Sequence, residues 1–304
     1  MRWLAAAALL LTACAAAEAP AQSEPAAPIA QPEAPAPQAA APRDLAFRCA
    51  GAFTQGGIAV CQGAPGSDVR IEGESVGQID ANGWIVVGFN REAPPQLTIE
   101  AVHAGATTRQ AIQIAPREFD IQRVDGLPQQ TVTPTDPAVQ ARIAREAALK
   151  QIGFASQAPM TGFLDGFIVP VEGGRVSGRW GNQRILNGTP STPHFGYDIA
   201  VPTGTPIRAP AAGVVTLANP DMHYEGGLVF IDHGQGLITM YLHMSRLDVA
   251  VGDVVTQGQI LGAVGASGRA TGPHLCWRMR WNGRQLDPSV AVQGLATARA
   301  ELLR

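Results

Sequence analysis

Three short segments near the end of the 304-residue chain carry side chains able to hold a metal and move protons. Pro193-His194-Phe195-Gly196-Tyr197-Asp198 sets a histidine and a carboxylate four residues apart. Gly272-Pro273-His274-Leu275-Cys276-Trp277 sets a histidine and a thiol two residues apart. Met240-Tyr241-Leu242-His243-Met244 places a third histidine between them. In an extended chain, residues at even spacing share a face. His274 and Cys276 then point the same way from one strand, and an extended segment aligns His194 with Asp198. The proline before His194 and the glycine after it argue against a helix there. Nitrogen, carboxylate oxygen and thiolate together suit zinc. Catalytic zinc keeps three protein ligands and one open position, which His194, Asp198 and Cys276 would supply. His243 and His274 remain as imidazoles free to take and return protons. Singly, each motif is short enough to be structural; the ordered set is much more specific.

Strands must position these groups. From about residue 166 the chain alternates short apolar runs with glycine turns and shows little helix. Upstream, residues 44–118 read as a small β-sandwich, immunoglobulin-like in size and pattern. Its expected strands are 58–61, 68–72, 84–89, 96–102 and 110–114, separated by Ala64-Pro-Gly66, Ala81-Asn-Gly83 and Ala93-Pro-Pro95. His103 reads as a surface loop residue. Residues 119–165 form a connector with a helix over 138–152, for which Asp136 is the expected N-cap and Pro137 the first helical residue.

The run from about 166 to 292 resembles the lysostaphin/LytM-type zinc endopeptidases. The resemblance rests on His194-Phe-Gly-Tyr-Asp198, Asp232-His-Gly-Gln-Gly236, Tyr241-Leu-His243-Met-Ser, Gly252-Asp-Val-Val-Thr-Gln-Gly258, Ser267-Gly-Arg-Ala-Thr-Gly-Pro-His274 and the ending Asn282-Gly to Asp287-Pro288, all in the family's order. It implies a compact antiparallel β fold with a groove, one zinc ion, and cleavage of short peptide bonds in peptidoglycan stems or cross-bridges. By position, His194 and Asp198 match the first two zinc ligands, and His243 and His274 the catalytic histidines. The family's third ligand is a histidine; here that position is Cys276. A thiolate reaches zinc at ~2.3 Å against ~2.0–2.1 Å for imidazole. The exchange takes the site's formal charge from +1 to zero, which predicts a pH optimum displaced upward. The resemblance also admits a non-catalytic scaffold of the same fold, binding wall or activating an amidase. His233, in Asp-His-Gly, reads as structural. His223, Arg184 and Asn187 are candidates for the groove wall, and Tyr197 and Tyr241 weaker candidates for substrate contact.

Composition excludes rivals. The net charge of -3 gives no field to draw nucleic acid. A lipoyl- or biotin-carrier reading of 251–258 needs a lysine there, and the chain's single lysine is Lys150. Arg2, the apolar run Trp3–Leu11 and Leu11-Thr12-Ala13-Cys14 read as a lipoprotein signal peptide over 1–14, with Cys14 lipidated. Residues 15–43, nearly all Ala, Pro, Glu, Gln and Ser, read as a disordered tether, and 293–304 as a tail. These features predict a periplasm-facing lipoprotein of the cell envelope, in the outer membrane. The first domain would position the second or bind an envelope partner. Cys49 and Cys61 flank the turn signal Gly56-Gly57, so a hairpin would bring them together, to bridge or to stay as buried thiols.

Overall fold

The structure is a computed structural model describing residues 46–127 and 129–303. The expected signal peptide with Cys14 and the expected tether lie outside the described residues. None of the described helices is long and apolar enough to cross a membrane.

Seven strands come first: β1 (Arg48–Gly51), β2 (Ile58–Gln62), β3 (Asp68–Ile71), β4 (Glu74–Gln78), β5 (Trp84–Gly88), β6 (Gln96–His103) and β7 (Ala106–Gln113). They make two antiparallel sheets, β1-β2-β5 and β4-β3-β6-β7. Leu97, Ile99 and Ala101 alternate inward along β6, and the apolar faces of the two sheets join one core. All five expected strands are present. β1 and β4 were invisible in the sequence because Arg-Cys-Ala-Gly and Glu-Ser-Val-Gly-Gln carry almost no alternating apolar signal. Cys49 and Cys61 are direct cross-strand partners and form a disulfide. His103 is exposed at the β6–β7 turn.

The connector holds β8 (Ile121–Val124), a helical turn α1 (Gln129–Val132) and α2 (Pro137–Phe154). Asp136 caps α2, accepting from the Ala138 N–H at 2.7 Å, with Pro137 in its first turn as expected. A 3-10 turn spans Gly162–Asp165.

The remaining strands are β9 (Arg175–Gly178), β10 (Gln183–Leu186), β11 (Thr189–Pro190), β12 (Gly196–Ala200), β13 (Pro206–Arg208), β14 (Gly213–Met222), β15 (Gly226–Asp232), β16 (Leu237–Leu247), β17 (Val254–Val255), β18 (Ile260–Val264), β19 (Leu275–Trp281) and β20 (Arg284–Leu286). Ten of them build one antiparallel sheet along β17-β14-β15-β16-β19-β12-β9, with β13, β18 and β20 attached. Its central strands are covered on both faces. On β19, Leu275, Trp277, Met279 and Trp281 face the main core, while Cys276 belongs to a second cluster with Ile238, Met240 and Leu242. α2 lies over that second face, where Phe154 stacks on Phe230 at 4.7 Å.

The expected tail is instead most of a helix, α3 (Pro288–Leu302). Asp287 caps it, accepting from the Ser289 N–H at 2.9 Å. Asp-Pro is a helix-start signal that reads equally well as the end of the preceding strands. α3 packs on β1 and β2, and Gly294 permits a close approach there, since a Cβ would lie 2.9 Å from Ala52 Cβ and 3.1 Å from the Ile58 carbonyl. The Gln235 side chain, in the turn between β15 and β16, accepts from Val86 N–H at 2.8 Å and donates to Trp84 C=O at 3.0 Å, tying β5 to that turn.

Candidate metal centre

Sheet register brings the carboxylate and the cysteine sulfur together. Asp198 on β12 is the direct cross-strand partner of Cys276 on β19, and Leu242 on β16 flanks Cys276 on its other side. Directly paired residues of adjacent strands share a face, so the carboxylate and the sulfur point the same way. His194 lies just before β12 rather than on an extended run with Asp198. Its backbone is held by the Asn182 carbonyl at 2.8 Å and by the Gly181 N–H at 2.7 Å. Its Nε2 comes within 3.3 Å of Asp198 Oδ1 and 3.6 Å of Cys276 Sγ. All three residues are buried.

The two separations from His194 Nε2 fit zinc. A tetrahedral ion with bonds of ~2.0–2.1 Å to nitrogen and oxygen and ~2.3 Å to sulfur has ligand edges of about 3.3 and 3.6 Å. Asp198 Oδ1 is buried and lacks a hydrogen-bond partner, although His194 Nε2 and, at 4.0 Å, His274 Nε2 both face it. A buried carboxylate oxygen left so is costly unless a cation meets it. Among the described residues, His194, Asp198 and Cys276 are the one group of possible ligands whose atoms all lie within 4.8 Å of one another.

Charges around the site reinforce this. Burial alone would raise the Asp198 pKa, but His194, Arg184 and His274 outweigh it and hold the carboxyl well below its usual range. Burial pushes the His194 imidazolium down, yet Asp198 and Cys276 outweigh it and hold the ring above its ordinary value. A proton on His194 and a cation therefore compete for the same place. Two guanidinium groups stand behind these donors: Arg184 donates to Asp198 Oδ2 at 3.2 Å, and Arg278 Nε to Cys276 Sγ at 3.4 Å.

The two remaining imidazoles stand side by side, ring centroids 4.8 Å apart. His243 Nδ1 lies 2.8 Å from the Ser267 carbonyl, and His274 Nδ1 lies 2.9 Å from the Gly272 carbonyl. Nδ1 must donate to a carbonyl, which leaves each Nε2 as an acceptor. Burial is the main reason both rings stay below the ordinary histidine pKa. His243 reaches the groove through a β-bulge: Leu242 and His243 together oppose the single residue Leu228. Its φ of 65° is unusual outside glycine, and consecutive residues Leu242 and His243 consequently line the same groove.

That groove encloses about 460 Å³. Arg184 lines it as expected. Asn187 acts one step back, donating to the Leu127 carbonyl at 2.7 Å and accepting from its N–H at 3.1 Å, so that Leu127 forms part of the wall. His223 turns away and packs edge-on against Tyr224, which with Glu225 takes its place in the wall. Tyr241 is fully buried with its hydroxyl 2.8 Å from Thr239, away from the groove. His233 is structural, 2.8 Å from both the Ala212 carbonyl and the Thr239 hydroxyl. Arg278 escaped the sequence reading although its even spacing from Cys276 was the available signal. Gln122 and Val124 of β8 also line the groove. Nothing in the sequence announced them, since β8 pairs in parallel with the distant β10.

Comparison with known proteins agrees with this architecture. The profile of peptidase family M23 matches residues 192–288. The DD-carboxypeptidase/endopeptidase Mpg of Neisseria meningitidis is 45% identical over 100 residues, 33% of this chain and 23% of that protein. The peptidoglycan DD-endopeptidase ShyA of Vibrio cholerae is 38% identical over 125 residues, 41% of this chain and 29% of that protein. The chain thus spans about a quarter of the length of these curated relatives. A crystal structure of an M23 peptidase from Pseudomonas aeruginosa superposes with a TM-score of 0.59 and 32% identity, covering 80% of this chain and 96% of that one. With that near-complete overlap joined to the ordered motifs and the gathered donors, the chain belongs to peptidase family M23.

Proposed function

We propose that the protein is a zinc-dependent endopeptidase that hydrolyses peptide bonds in peptidoglycan stems or cross-bridges, with His194, Asp198 and Cys276 as the metal ligands. The observation that carries this is the buried, unpartnered Asp198 Oδ1 facing His194 Nε2 at 3.3 Å beside two neutral imidazoles in an open groove. Zinc held there would supply a Lewis acid that polarises a peptide carbonyl and acidifies water. The chain's own groups do the rest. Asp198 stays ionised, and Arg184 fixes its carboxylate plane from the far side. His243 and His274, each tethered through Nδ1, present Nε2 to take a proton from the attacking water and return it to the departing amine. Names of relatives such as "peptidoglycan DD-endopeptidase" support the substrate class. The proposal extends to export and anchoring through lipidated Cys14, to an envelope position facing the periplasm, and to an immunoglobulin-like first domain, supported by the exchange of β2 and β5 against β3 and β6 between its sheets.

The test is zinc content of purified residues 44–304, wild type and Cys276→Ala, followed by digestion of peptidoglycan fragments. About one zinc per chain in the wild type, lost in the variant, with fragments cleaved at a peptide bond, is the expected result. A wild type that takes up no added zinc would favour the non-catalytic scaffold.

A further inference from the structure

Counting only the three ligands, zinc at this site would carry no net formal charge, one unit less than with two histidines and an aspartate. The structure adds a cation to that count. Arg278 sits two residues beyond Cys276 on β19 and so shares its face. Its side chain folds back along the strand so that Nε donates to Cys276 Sγ at 3.4 Å. The cross-strand partner of Arg278 is Gly196, and the glycine makes the arrangement possible. A Cβ built at Gly196 would lie 2.5 Å from Cys276 Sγ, 2.9 Å from His194 Nε2 and 3.3 Å from Arg278 Cγ. Only a residue without a side chain leaves room there for sulfur, imidazole and the arginine stem together.

We propose that Arg278 is a positioning residue for the metal site, holding the Cys276 sulfur by a charge-assisted hydrogen bond and offsetting its negative charge, so that a cysteine can serve where a neutral histidine otherwise would. This rests on the zinc reading above. A hydrogen bond to a ligating sulfur fixes its orientation and draws electron density away from the metal. Arg184 does the same for Asp198 through Oδ2 at 3.2 Å, so each anionic donor is backed by its own guanidinium. The upward displacement of the pH optimum expected from the three ligands alone is correspondingly reduced. Arginine is suited to the task because its fork is rigid and its charge permanent. A neutral histidine ligand would give Arg278 nothing to offset, and the same guanidinium would then only repel the incoming cation.

That difference defines a double-mutant cycle. Zinc affinity is measured by chelator competition on residues 44–304 for the wild type, Arg278→Met, Cys276→His and the two combined. Arg278→Met is expected to be about 10–100-fold more damaging to affinity beside Cys276 than in the Cys276→His background. Cobalt substitution gives a second readout: the sulfur-to-cobalt charge-transfer band should move to lower energy in Arg278→Met and recover in part in Arg278→Lys. The lysine variant also covers the case in which the methionine variant folds poorly. Equal effects in both backgrounds with an unmoved band would overturn the role of Arg278 while leaving the zinc site standing. A wild type that binds neither zinc nor cobalt would overturn both.

Discussion

Imidazoles in this molecule hold their protons differently because their neighbours differ. His194 faces a carboxylate and a sulfur, whereas His243 and His274 face carbonyls through Nδ1. His233 is sealed between the Ala212 carbonyl and the Thr239 hydroxyl, and burial lowers its pKa from an ordinary 6.5 to about 4. The sign of the consequence follows from linkage. Between those two values the unfolded chain binds the proton and the folded chain does not, so the contribution of His233 is complete above 6.5 and is lost as pH falls toward about 4. The span corresponds to about 3 kcal/mol. Urea unfolding followed across that interval should show a pH-dependent loss of stability that His233→Gln reduces by roughly this amount. The types and spacings of His194, Asp198 and Cys276, with His243 and His274 beside them, made the candidate site legible in the sequence. The groups that tune them were less so: the Ser267 and Gly272 carbonyls are backbone atoms, and Arg278 carries no motif of its own.

At the scale of elements, the site depends on two local departures from regular strand. The bulge on β16 turns His243 toward Leu242's side of the sheet. The glycine opening β12 leaves space beside the donors. Gly196→Ala would thrust a methyl group between Cys276 Sγ and His194 Nε2, and something must shift. The expected outcome is a folded protein, by near-ultraviolet circular dichroism, whose zinc affinity is at least about tenfold weaker by chelator competition. Gly178→Ala offers a comparison, because a Cβ there would meet the Asp198 carboxylate from β9 instead. Strands with clean alternation, such as β3 and β6, were readable from pattern. β8, β1 and β4 were not, because their place is set by pairing with partners rather than by their own apolar content. The bulge was equally hidden: the residues around His243 are apolar in unbroken sequence, and periodicity cannot locate an extra residue in such a run.

For the whole molecule, the contacts between the first two sheets and the larger one form a single fabric. Asp287 joins three jobs: it caps α3, pairs with Arg117 at 2.8 Å, and its N–H meets the Gly56 carbonyl at 2.8 Å. Asp287 is buried and Arg117 partly exposed. Asp287→Ala should cost about 2–4 kcal/mol, from a lost cap and a broken, mostly buried ion pair. Equilibrium unfolding in urea measures this, and Asp287→Asn, which keeps the cap, should lose less. The register that makes Asp198 and Cys276 direct partners has a consequence of another kind. Their spacing is fixed by the hydrogen-bonded ladder of the sheet, and His194 is held beside them by its own backbone bonds to Gly181 and Asn182, so all three donors are in place once the backbone has folded. A small finger built on zinc has no shape without its metal; here, on the zinc reading proposed above, folding of the chain and acquisition of the ion would be separate events. A chelator should strip the centre without undoing the scaffold, and fresh metal should find its seat already cut.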